Sequence, residues 1–348
     1  MRPPDQDRET QRKVMAILRV LGESSQPLGS VIIARELEAH GVRLSERTVR
    51  YHLRIADERG FTRPAGRDGR RITPLGLQEI NCALASDQVG FIIERIALLA
   101  FQTTFDPQRG SGRVGINTSL FPKDRFDEAL RAMEPAFRSG LCVSEWVGVA
   151  AGGEKLGDVV VPEGKIGLAT VCSATINGVL LKAGIPMDSR FGGILEVDDA
   201  TPRRFVAIIN YAGTSLDPSE AYIKAKMTQV REAALTGTGR ILANFREVPA
   251  PAKPQVEHIL DQLKAAGIGG VVQVGATSEP ICQIPVGPDK IGIVLLGGAN
   301  PVAAAEEAGI AADNSLESGT AEFESLVRFQ DLLKRAHNGT PRIAQLTH

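Results

Sequence analysis

SERTVRYHLRIADERGFTRPAGRDGRRI, residues 45–72, carries the strongest fold signal in the first part of the chain. Ser45 has the side chain preferred at a helix N-cap, because its hydroxyl can accept a hydrogen bond from the first turn. Val49 and Leu53 follow at helical spacing, and Gly60 ends the pattern. The stretch therefore predicts a helix that begins at Ser45 and ends near Gly60.

Two further helices are predicted before this one. Apolar residues recur at helical spacing over 14–21 and again over 32–37, and Gly22 and Gly41 mark where these helices end. A pair of helices joined by a short turn that contains glycine is the helix-turn-helix pattern. The helix from Ser45 would then be its recognition helix.

The segment after the third helix predicts a β-wing. Asp68-Gly69 is a strong hairpin signal, and arginines on both sides of it put cations at the loop tip. Residues 43–71 contain nine arginines and four acidic residues, although the 348-residue chain has a net charge of -1. Such a cationic patch is typical of a module that binds the phosphate backbone. We therefore predict a winged-helix DNA-binding domain over residues 1–80.

The outward face of the third helix would enter a major groove, while the wing would lie against phosphates. His52, on the same helix, is expected to contact phosphate or solvent rather than a metal. Winged helices also dock on proteins, so a docking module remains an alternative. The predicted DNA-contact residues are Ser45, Arg47, Thr48, Arg50, Tyr51 and Arg54 on the helix, and Arg67, Arg70 and Arg71 on the wing.

The larger part of the chain repeats itself. KIGLATVCSATINGVLLKAGIPMD (165–188) aligns without gaps on KIGIVLLGGANPVAAAEEAGIAAD (290–313). Eight of the 24 positions are identical, against roughly two expected from average residue usage. Upstream, GRVGINTSLFP (112–122) matches GRILANFREVP (239–249) through Gly, Arg, Asn and Pro. Because the order is the same in both halves, we predict an internal duplication.

Both copies predict strands interspersed with helices, so the expected fold is an α/β or α+β regulatory domain of two similar halves. Within it, helices are predicted at 124–139, 254–266 and about 320–336, and strands at Val143–Val149, Val159–Val161, Val271–Val274 and Ile281–Val286. The predicted divisions are a connecting helix and loop at 81–111, the duplicated domain at 112–336 with copies at about 112–188 and 239–313, and a loose tail at 337–348.

Two strand-to-helix corners are the best candidates for a ligand site. Backbone N–H groups at such a corner, with the helix dipole behind them, favour a carboxylate or phosphate. One corner in each copy suits a small dianion held between the halves. Glycines also serve simply to permit a tight turn, and that alternative remains open. The candidate effector residues are Cys172, Ser173 and Thr175 in the first copy and Gly297, Gly298 and Asn300 in the second.

No catalytic or metal-binding pattern stands out in the sequence. It has no GxSxG elbow, HExxH helix, Walker loop or GxGxxG after a strand, and its four cysteines form no CxxC pair. We therefore expect a protein that is not an enzyme and holds no metal or cofactor. The alternative is an enzyme fused to a DNA-binding module, with Cys172 as a nucleophile activated at a helix N-terminus. A buried core thiol is the competing interpretation of Cys172.

The expected location is the cytoplasm. No apolar run approaches the ~20 residues that span a bilayer, and the polar start MRPPDQDRET has no signal-peptide core. The scattered cysteines also fit a reducing compartment.

Several of these segments resemble a known family. Residues 29–76, GSVIIARELEAHGVRLSERTVRYHLRIADERGFTRPAGRDGRRITPLG, resemble the N-terminal winged helix of the NrpR-type transcriptional repressors of nitrogen assimilation. FGGILEVDD, YAGTSLDP, NFREVPA and LLGGANPVAAAEEAGI resemble the NrpR regulatory domain, and the likeness covers about residues 10–330.

The resemblance implies a homo-oligomeric repressor, expected to be a homodimer, that binds palindromic operators of nitrogen genes. It also implies release from DNA by 2-oxoglutarate, the signal of nitrogen shortage. By matching position, Ser45 to Arg54 would form the recognition surface and the Arg67–Arg71 wing would support it. Some members of the family carry two regulatory domains in tandem, whereas this chain has one.

Overall fold

A computed structural model of the chain describes residues 4–24, 26–39, 42–81 and 91–337. The chain divides into two units, Met1–Gln88 and Val89–His348. Of the predicted connector at 81–111 and the predicted tail at 337–348, only residue 81, residues 91–111 and residue 337 are described.

The first unit is a winged helix, as the sequence predicts. Apolar residues of the first three helices, among them Ile17, Leu37 and Leu53, form one buried cluster. This packing explains the helical spacing of the apolar positions, since each helix contributes one stripe to a shared core. The elements are α1 (Pro4–Glu23), α2 (Ser30–Ala39), α3 (Glu46–Glu58), β1 (Thr62–Pro64), β2 (Arg70–Ile72) and α4 (Pro74–Asn81).

The wing is the antiparallel hairpin of β1 and β2, in which Thr62 pairs with Ile72 and Pro64 pairs with Arg70. The connection is a five-residue loop over 65–69 with a short 3₁₀ turn, longer than a two-residue Asp-Gly turn. Leu28 exchanges two backbone hydrogen bonds of 3.0 Å with Arg70 on the other side of β2. The wing is therefore tied to the segment between α1 and α2.

The second unit is an α+β domain. Its helices are α5 (Phe91–Gln102), α6 (Phe126–Arg138), α7 (Ala174–Lys182), α8 (Pro218–Lys224), α9 (Val230–Thr236), α10 (Lys253–Ala265), α11 (Asn300–Glu307) and α12 (Phe329–His337). Its strands are β3 (Arg113–Pro122), β4 (Trp146–Ala151), β5 (Lys155–Leu156), β6 (Val159–Val160), β7 (Lys165–Val171), β8 (Asp188–Asp198), β9 (Thr201–Asn210), β10 (Gly239–Pro249), β11 (Val271–Thr277), β12 (Lys290–Leu296), β13 (Asp313–Glu322) and β14 (Val327–Arg328).

Most of these strands form two five-stranded antiparallel sheets, in the orders β13-β3-β7-β4-β14 and β11-β12-β10-β8-β9. Strands β7 and β12 are buried at every position after their first residue. Side chains of successive strand residues point to opposite faces, so both faces of each sheet are covered. This explains why KIGLATV and KIGIVLL are almost continuously apolar rather than alternating.

The two sheets exchange their last strands. Strand β8 follows α7 along the chain but pairs with β10, and β13 follows α11 but pairs with β3. Lys165 pairs with Asp313 in a close salt bridge, while Lys290 lies 3.2 Å from Asp188. These four residues occupy matching positions of the repeated segments, so each lysine binds the aspartate of the other segment.

Helix α5 packs inside the second unit. Ile92, Ile96 and Leu99 are buried in one cluster with residues at the start of α7. A methyl group on Gly178 would lie 2.7 Å from the Ala100 carbonyl oxygen, so the backbones of α5 and α7 come close at this glycine. The apolar face of α5 is thus covered by the regulatory domain.

Two predicted elements are wrong. Residues 320–322 belong to β13, which pairs with β3, so the last helix begins at Phe329 rather than near 320. Ile281–Val286 is not a strand: it holds an isolated bridge between Ile281 and Ile284, with Cys282 and Gln283 at positive φ. The run forms a tight turn instead, with Ile281 and Cys282 buried and Ile284 and Val286 half-buried.

Candidate functional site

The N-terminus of α3 begins at Ser45, as the sequence predicts. The Ser45 Oγ atom accepts a hydrogen bond of 3.2 Å from the Thr48 backbone N–H. This cap satisfies one of the free donors of the first turn and orients the start of the helix. The half of α3 that a recognition helix presents to bases is therefore well defined.

One exposed stripe on α3 consists of Arg47, Arg50, Tyr51 and Arg54. The last three follow Arg47 by three, four and seven residues, so all four share one helix face. Arg50 donates a 3.3 Å hydrogen bond to Ser30 of α2 and forms a close ion pair with Glu46. Arg47 and Arg54 form no ion pair with any residue that the structure describes. They are consequently the two cations of α3 most available to an external anion.

The wing arginines divide into two groups. Arg63 and Arg71 lie directly opposite each other on β1 and β2 and are exposed. Like charges placed opposite each other are unfavourable unless an anion neutralises them, which suits a phosphate contact. Arg70 instead turns inward and forms a 2.7 Å ion pair with Asp57 of α3. The sequence reasoning assigned Arg70 to DNA and overlooked Arg63, since only the pairing register shows which arginines point outward.

The predicted DNA-binding domain contains two further residues of interest, His52 and Arg67. His52 is not a surface contact as predicted: it is 5% exposed and lies next to the Tyr51 ring, with the ring centroids 5.2 Å apart. It points inward because it lies three residues after Val49 and four before Ala56, on the buried side of α3. The side chain of Arg67 lies outside the part of the chain that the structure describes.

The two predicted corners lie next to each other at the centre of the second unit. A methyl group on Gly298 would lie 2.5 Å from the Asn117 amide nitrogen, so a side chain there would separate the two sheets. On the other side, the Asn244 amide donates a 3.1 Å hydrogen bond to Ser173 Oγ. Each corner thus contacts an asparagine from the other sheet.

Two of the candidate effector residues serve the framework. Asn300 is fully buried and binds both backbone groups of Leu242, accepting from its N–H at 2.8 Å and donating to its carbonyl at 3.0 Å. Thr175 Oγ1 binds the backbone N–H and carbonyl of Gly115 in the same way, at 3.0 and 3.3 Å. These side chains hold helices to strands, and their polar groups are already used.

A small cavity of about 10 Å³ lies between the corners, room for about one water molecule. Cys172, Ser173 and Gly298 line it, whereas Thr175 and Gly297 do not. Asn300 also lies outside the lining. Residues that the sequence reasoning did not assign to the site complete the wall, chiefly Asn117, Tyr211, Asp217, Asn244, Arg246 and Glu317. The sequence signal for this part of the wall is the pair of asparagines that match between 112–122 and 239–249.

Arg246 is the most unusual residue of this wall. It is 1% exposed and has no ion pair within 4.0 Å among the described residues. One guanidinium nitrogen donates a 3.4 Å hydrogen bond to the adjacent Phe245 carbonyl, and the guanidinium carbon lies 5.0 Å from the Tyr211 ring centroid. The Nε atom is buried and has no hydrogen-bond partner there. A buried charge of this kind is costly, so its retention points to an anion.

Asp217 and Glu317 bring two carboxyl groups to the cavity lining, and the Oε2 atom of Glu317 is buried with no hydrogen-bond partner among the described residues. Burial raises the pKa of both groups, and the charge of Asp217 raises the pKa of Glu317 further. Asp217 also caps α8, because its Oδ1 accepts a 2.9 Å hydrogen bond from the Glu220 N–H. Pro218 follows as the first residue of α8, where its missing N–H costs no hydrogen bond.

Glu317 is brought to the cavity by an irregularity in β13. The pairing of β13 with β3 shifts register between Ser315 and Gly319, and Glu317 has φ +47°. A left-handed backbone at a residue other than glycine costs roughly 1–2 kcal/mol. The nearby Arg95 of α5 donates a 2.7 Å hydrogen bond to the Glu317 carbonyl and stabilises this conformation. Such strain is typical of functional positions.

Cys172 does not have the environment of a nucleophile. It is 4% exposed, and burial raises the pKa of its thiol, as does the negative charge of Glu317. The helix N-terminus, which the sequence reasoning expected to lower this pKa, is the weaker influence. The geometry therefore favours a core thiol over the hypothesis of a nucleophile.

The sequence profile described as "NrpR regulatory domains NRD1 and 2" matches residues 89–328. The chain belongs to the NrpR family. A second profile, "Ribonuclease R winged-helix domain", matches residues 15–80 and covers the winged helix.

Among NrpR relatives, the Global nitrogen regulator NrpRI of Methanosarcina mazei is 40% identical over 320 residues, which are 92% of this chain and 98% of that protein. The Global nitrogen regulators NrpR of Methanococcus maripaludis and Methanocaldococcus jannaschii are each 32% identical. These two alignments cover 89% and 94% of this chain but only 54% and 56% of the two relatives.

A crystal structure of a nitrogen repressor-like protein from Methanococcus jannaschii is similar to this NrpR-family chain, with a TM-score of 0.57 and 27% identity. The similarity covers 70% of this chain and 98% of that one. Among the residues described here, none of the helices is both long and apolar enough to cross a membrane, and no three His, Cys, Asp or Glu side chains are grouped to hold a metal ion.

The raised pKa of Glu317 predicts a pH-dependent stability for this NrpR-family chain. Because the pKa is higher in the folded chain than the ordinary 4.5, folding takes up a proton. The resulting stability is fully present below the ordinary pKa and is lost as the pH rises through the folded-state value. We expect the free energy of unfolding measured in urea to fall from pH 5 towards neutrality, and Glu317→Gln to reduce that fall. An equal fall in both proteins would contradict the assignment.

Proposed function

We propose that the protein is a cytoplasmic, DNA-binding repressor of nitrogen-assimilation genes, and not an enzyme. The observation that carries the proposal is the exposed stripe of Arg47, Tyr51 and Arg54 on a capped third helix, beside the wing arginines Arg63 and Arg71. Membership of the NrpR family supports it, because the relatives are named as nitrogen regulators.

The winged helix would bind double-stranded DNA with α3 in the major groove and the wing on the phosphate backbone. On this proposal, Arg47 and Arg54 approach base edges or phosphates directly. Arg50 needs to leave Glu46 first, or else it helps to hold the start of α3 in place. A homodimer would place two such helices on a palindromic operator, with half-sites about 34 Å or a multiple apart.

The effector site of this proposal is the cavity between the two corners, with 2-oxoglutarate as the effector. Cys172, Ser173 and Gly298 line it, and Thr175, Gly297 and Asn300 hold its frame. The cavity has a volume of about 10 Å³, which is too small for 2-oxoglutarate. The effector therefore binds only if the two corners separate. Binding is thereby coupled to a movement of the elements around the cavity.

Helix α5 would transmit this movement. Its Ile96 lines the cavity and its Arg95 holds the backbone at Glu317. The chain runs from the winged helix through residues 82–90 into α5, so α5 is the element of the regulatory domain nearest to it in sequence. Effector binding needs only to favour an arrangement of the subunits in which the spacing of the two recognition helices does not match the operator half-sites. A coupling free energy of about 1–3 kcal/mol is typical of such regulation.

We also propose that the regulatory domain arose by internal duplication. The exchanged strands β8 and β13 support it, as do the reciprocal Lys165–Asp313 and Lys290–Asp188 pairs. The matching roles of Thr175 and Asn300, described above, add a third equivalence. A cavity between two related corners is what fusion of two copies around a twofold axis produces.

A gel-shift titration tests the proposed function. The full chain is titrated onto its own upstream DNA and onto nitrogen-gene promoters, with and without 2-oxoglutarate. We expect a specific complex that survives competitor DNA and that 2-oxoglutarate weakens by about fivefold or more. Binding to none of these DNAs would contradict DNA recognition and favour a protein-docking module. Specific binding that ignores 2-oxoglutarate would contradict the effector assignment alone.

Substitution at Gly178 tests the role of α5. In Gly178→Ala the added methyl group meets the Ala100 carbonyl, so α5 is displaced from α7. We expect the free energy of unfolding of the regulatory domain to fall by about 1–3 kcal/mol. DNA affinity without effector should be retained, whereas the effect of 2-oxoglutarate on it should shrink. Gly269→Ala is the matched control, because its nearest neighbouring atom lies 4.0 Å away. An undiminished effector response in Gly178→Ala would contradict the proposed route.

A further inference from the structure

The cavity contains a cation that has no direct ion pair among the described residues, and a ready hydrogen-bond donor. The Arg246 Nε–H is buried without an acceptor among the described residues. Asn244 is fully used, because it accepts a 2.6 Å hydrogen bond from the Tyr211 hydroxyl and donates to Ser173 Oγ. Ser173 therefore acts as an acceptor for Asn244 and keeps its own hydroxyl proton for another partner. Arg246 and Ser173 thus offer donors to one anionic group.

Two buried carboxyl groups, those of Asp217 and Glu317, line the same cavity, and Glu317 Oε2 has no hydrogen-bond partner among the described residues. Burial raises the pKa of both groups, and two neighbouring carboxylates in a buried site favour sharing one proton, so we infer that the pair carries one negative charge. That charge balances Arg246 at a distance, without a direct ion pair. When a ligand carboxylate approaches Arg246, the same pair becomes an excess negative charge in a buried site. A second proton on the pair restores neutrality.

We propose that the cavity binds a small carboxylate ligand with Arg246 as its charge partner, and that the Asp217–Glu317 pair takes up one proton as the ligand binds. The inference rests on the proposed effector site and names its anion-binding residue and its linkage to protons. Ligand affinity consequently rises as the pH falls from 8 towards 6. A repressor of this kind reads metabolite concentration and acidity together.

The position of Arg246 supports a ligand-binding role over a structural one. Arg246 lies on β10, and the matching residue of the other sheet is Ser119, so the site is charged on one side only. Glu317 reaches the cavity through a register shift and a left-handed backbone, described above. The charged and titratable groups that face the pair are Arg95 of α5, Cys172 at the first corner, Tyr211 after β9, Glu220 of α8 and Arg246 of β10.

Isothermal titration calorimetry of the full chain with 2-oxoglutarate, in Tris and in Hepes at pH 7.5, measures the protons exchanged. We expect uptake of about one proton per ligand for the unaltered chain and none for the double variant Asp217→Asn/Glu317→Gln, in which neither carboxyl remains to take up a proton. No net exchange in the unaltered chain would overturn the linkage.

Replacement of Arg246 separates binding from folding. In Arg246→Met the buried charge is removed while the volume is kept, so we expect the Tm without ligand to rise by a few degrees and the heat of ligand binding to vanish. A purely structural arginine would instead lower the Tm. Arg240→Met, an exposed arginine of the same strand, is the matched control and should leave both unchanged. Wild-type affinity in Arg246→Met would overturn the proposal.

Two more carboxylates distinguish this inference from the proposed function. Succinate and pyruvate are titrated under the same conditions. If either binds in an Arg246-dependent manner while 2-oxoglutarate does not, the inference holds and the proposed effector is wrong. If 2-oxoglutarate weakens DNA binding but binds equally to Arg246→Met, the inference is wrong and the proposed function stands. Failure of all three ligands to bind overturns the inference.

Discussion

Replacing Arg47 and Arg54 together with alanine is expected to weaken operator binding by about 2–6 kcal/mol, from about 1–3 kcal/mol for each contact. Both side chains are exposed on one face of α3 and form no ion pair with described residues. No anionic side chain among the described residues therefore competes for them. Fluorescence anisotropy with labelled operator DNA at fixed salt measures the loss, and the salt dependence of binding should become shallower.

Arg109→Ala is the control for the change in charge, because Arg109 is exposed in the second unit and lies outside the proposed DNA face. It should bind DNA as the unaltered chain does. Circular dichroism and thermal melting establish that the double variant remains folded, which its exposed positions predict. Unchanged affinity in a folded Arg47/Arg54 variant would contradict DNA recognition by α3 and support protein docking by this surface.

Asn300→Ala is expected to lower the free energy of unfolding of the second unit by about 1–3 kcal/mol. The substitution leaves the buried Leu242 N–H without its partner, whereas the Leu242 carbonyl keeps the Gly297 N–H at 2.9 Å. Urea denaturation followed by tryptophan fluorescence measures the change, since Trp146 lies in this unit.

Asn210→Ala is the matched control, because Asn210 is exposed at the end of β9 and should change stability by less than about 0.5 kcal/mol. A loss in Asn300→Ala as small as in the control would show that these hydrogen bonds matter little. The predicted role of Asn300 in effector binding would then deserve a renewed test by calorimetry.

The winged helix was predictable because its signals are local. The cap at Ser45, the spacing of Val49 and Leu53 and the end near Gly60 all lie within one helix. The direction of Arg70 and the burial of His52 could not be predicted from local signals, because both depend on how the hairpin and α3 pack. An arginine-rich stretch therefore predicts a cationic module, but not which arginines face outward.

The errors in the second unit arise from pairing between distant segments. Residues 320–322 resemble a helix locally, yet they complete a sheet by pairing with β3, some two hundred residues earlier. The apolar run Ile281–Val286 predicts a strand, but the structure has a turn there. An apolar pattern alone does not distinguish a strand from a buried turn. Strand exchange between the sheets has no signal in local periodicity.

The candidate site was predicted in part. The repeat pointed to the two corners, and Ser173 and Gly298 do line a cavity between them. Arg246 and Glu317 were missed, because β10 and β13 belong to different sheets and only the fold brings them together. Both are single polar residues in otherwise ordinary strand sequences, so no local motif marks them.

Hydrogen–deuterium exchange of the full chain tests the central claim most directly, by comparing the free protein, its complex with operator DNA and that complex after addition of 2-oxoglutarate. The account predicts that peptides covering residues 45–54 become protected when DNA binds and lose this protection when 2-oxoglutarate is added, while peptides around Glu317 become protected. Exchange at 45–54 that is the same in free protein and in a demonstrated DNA complex would contradict the account.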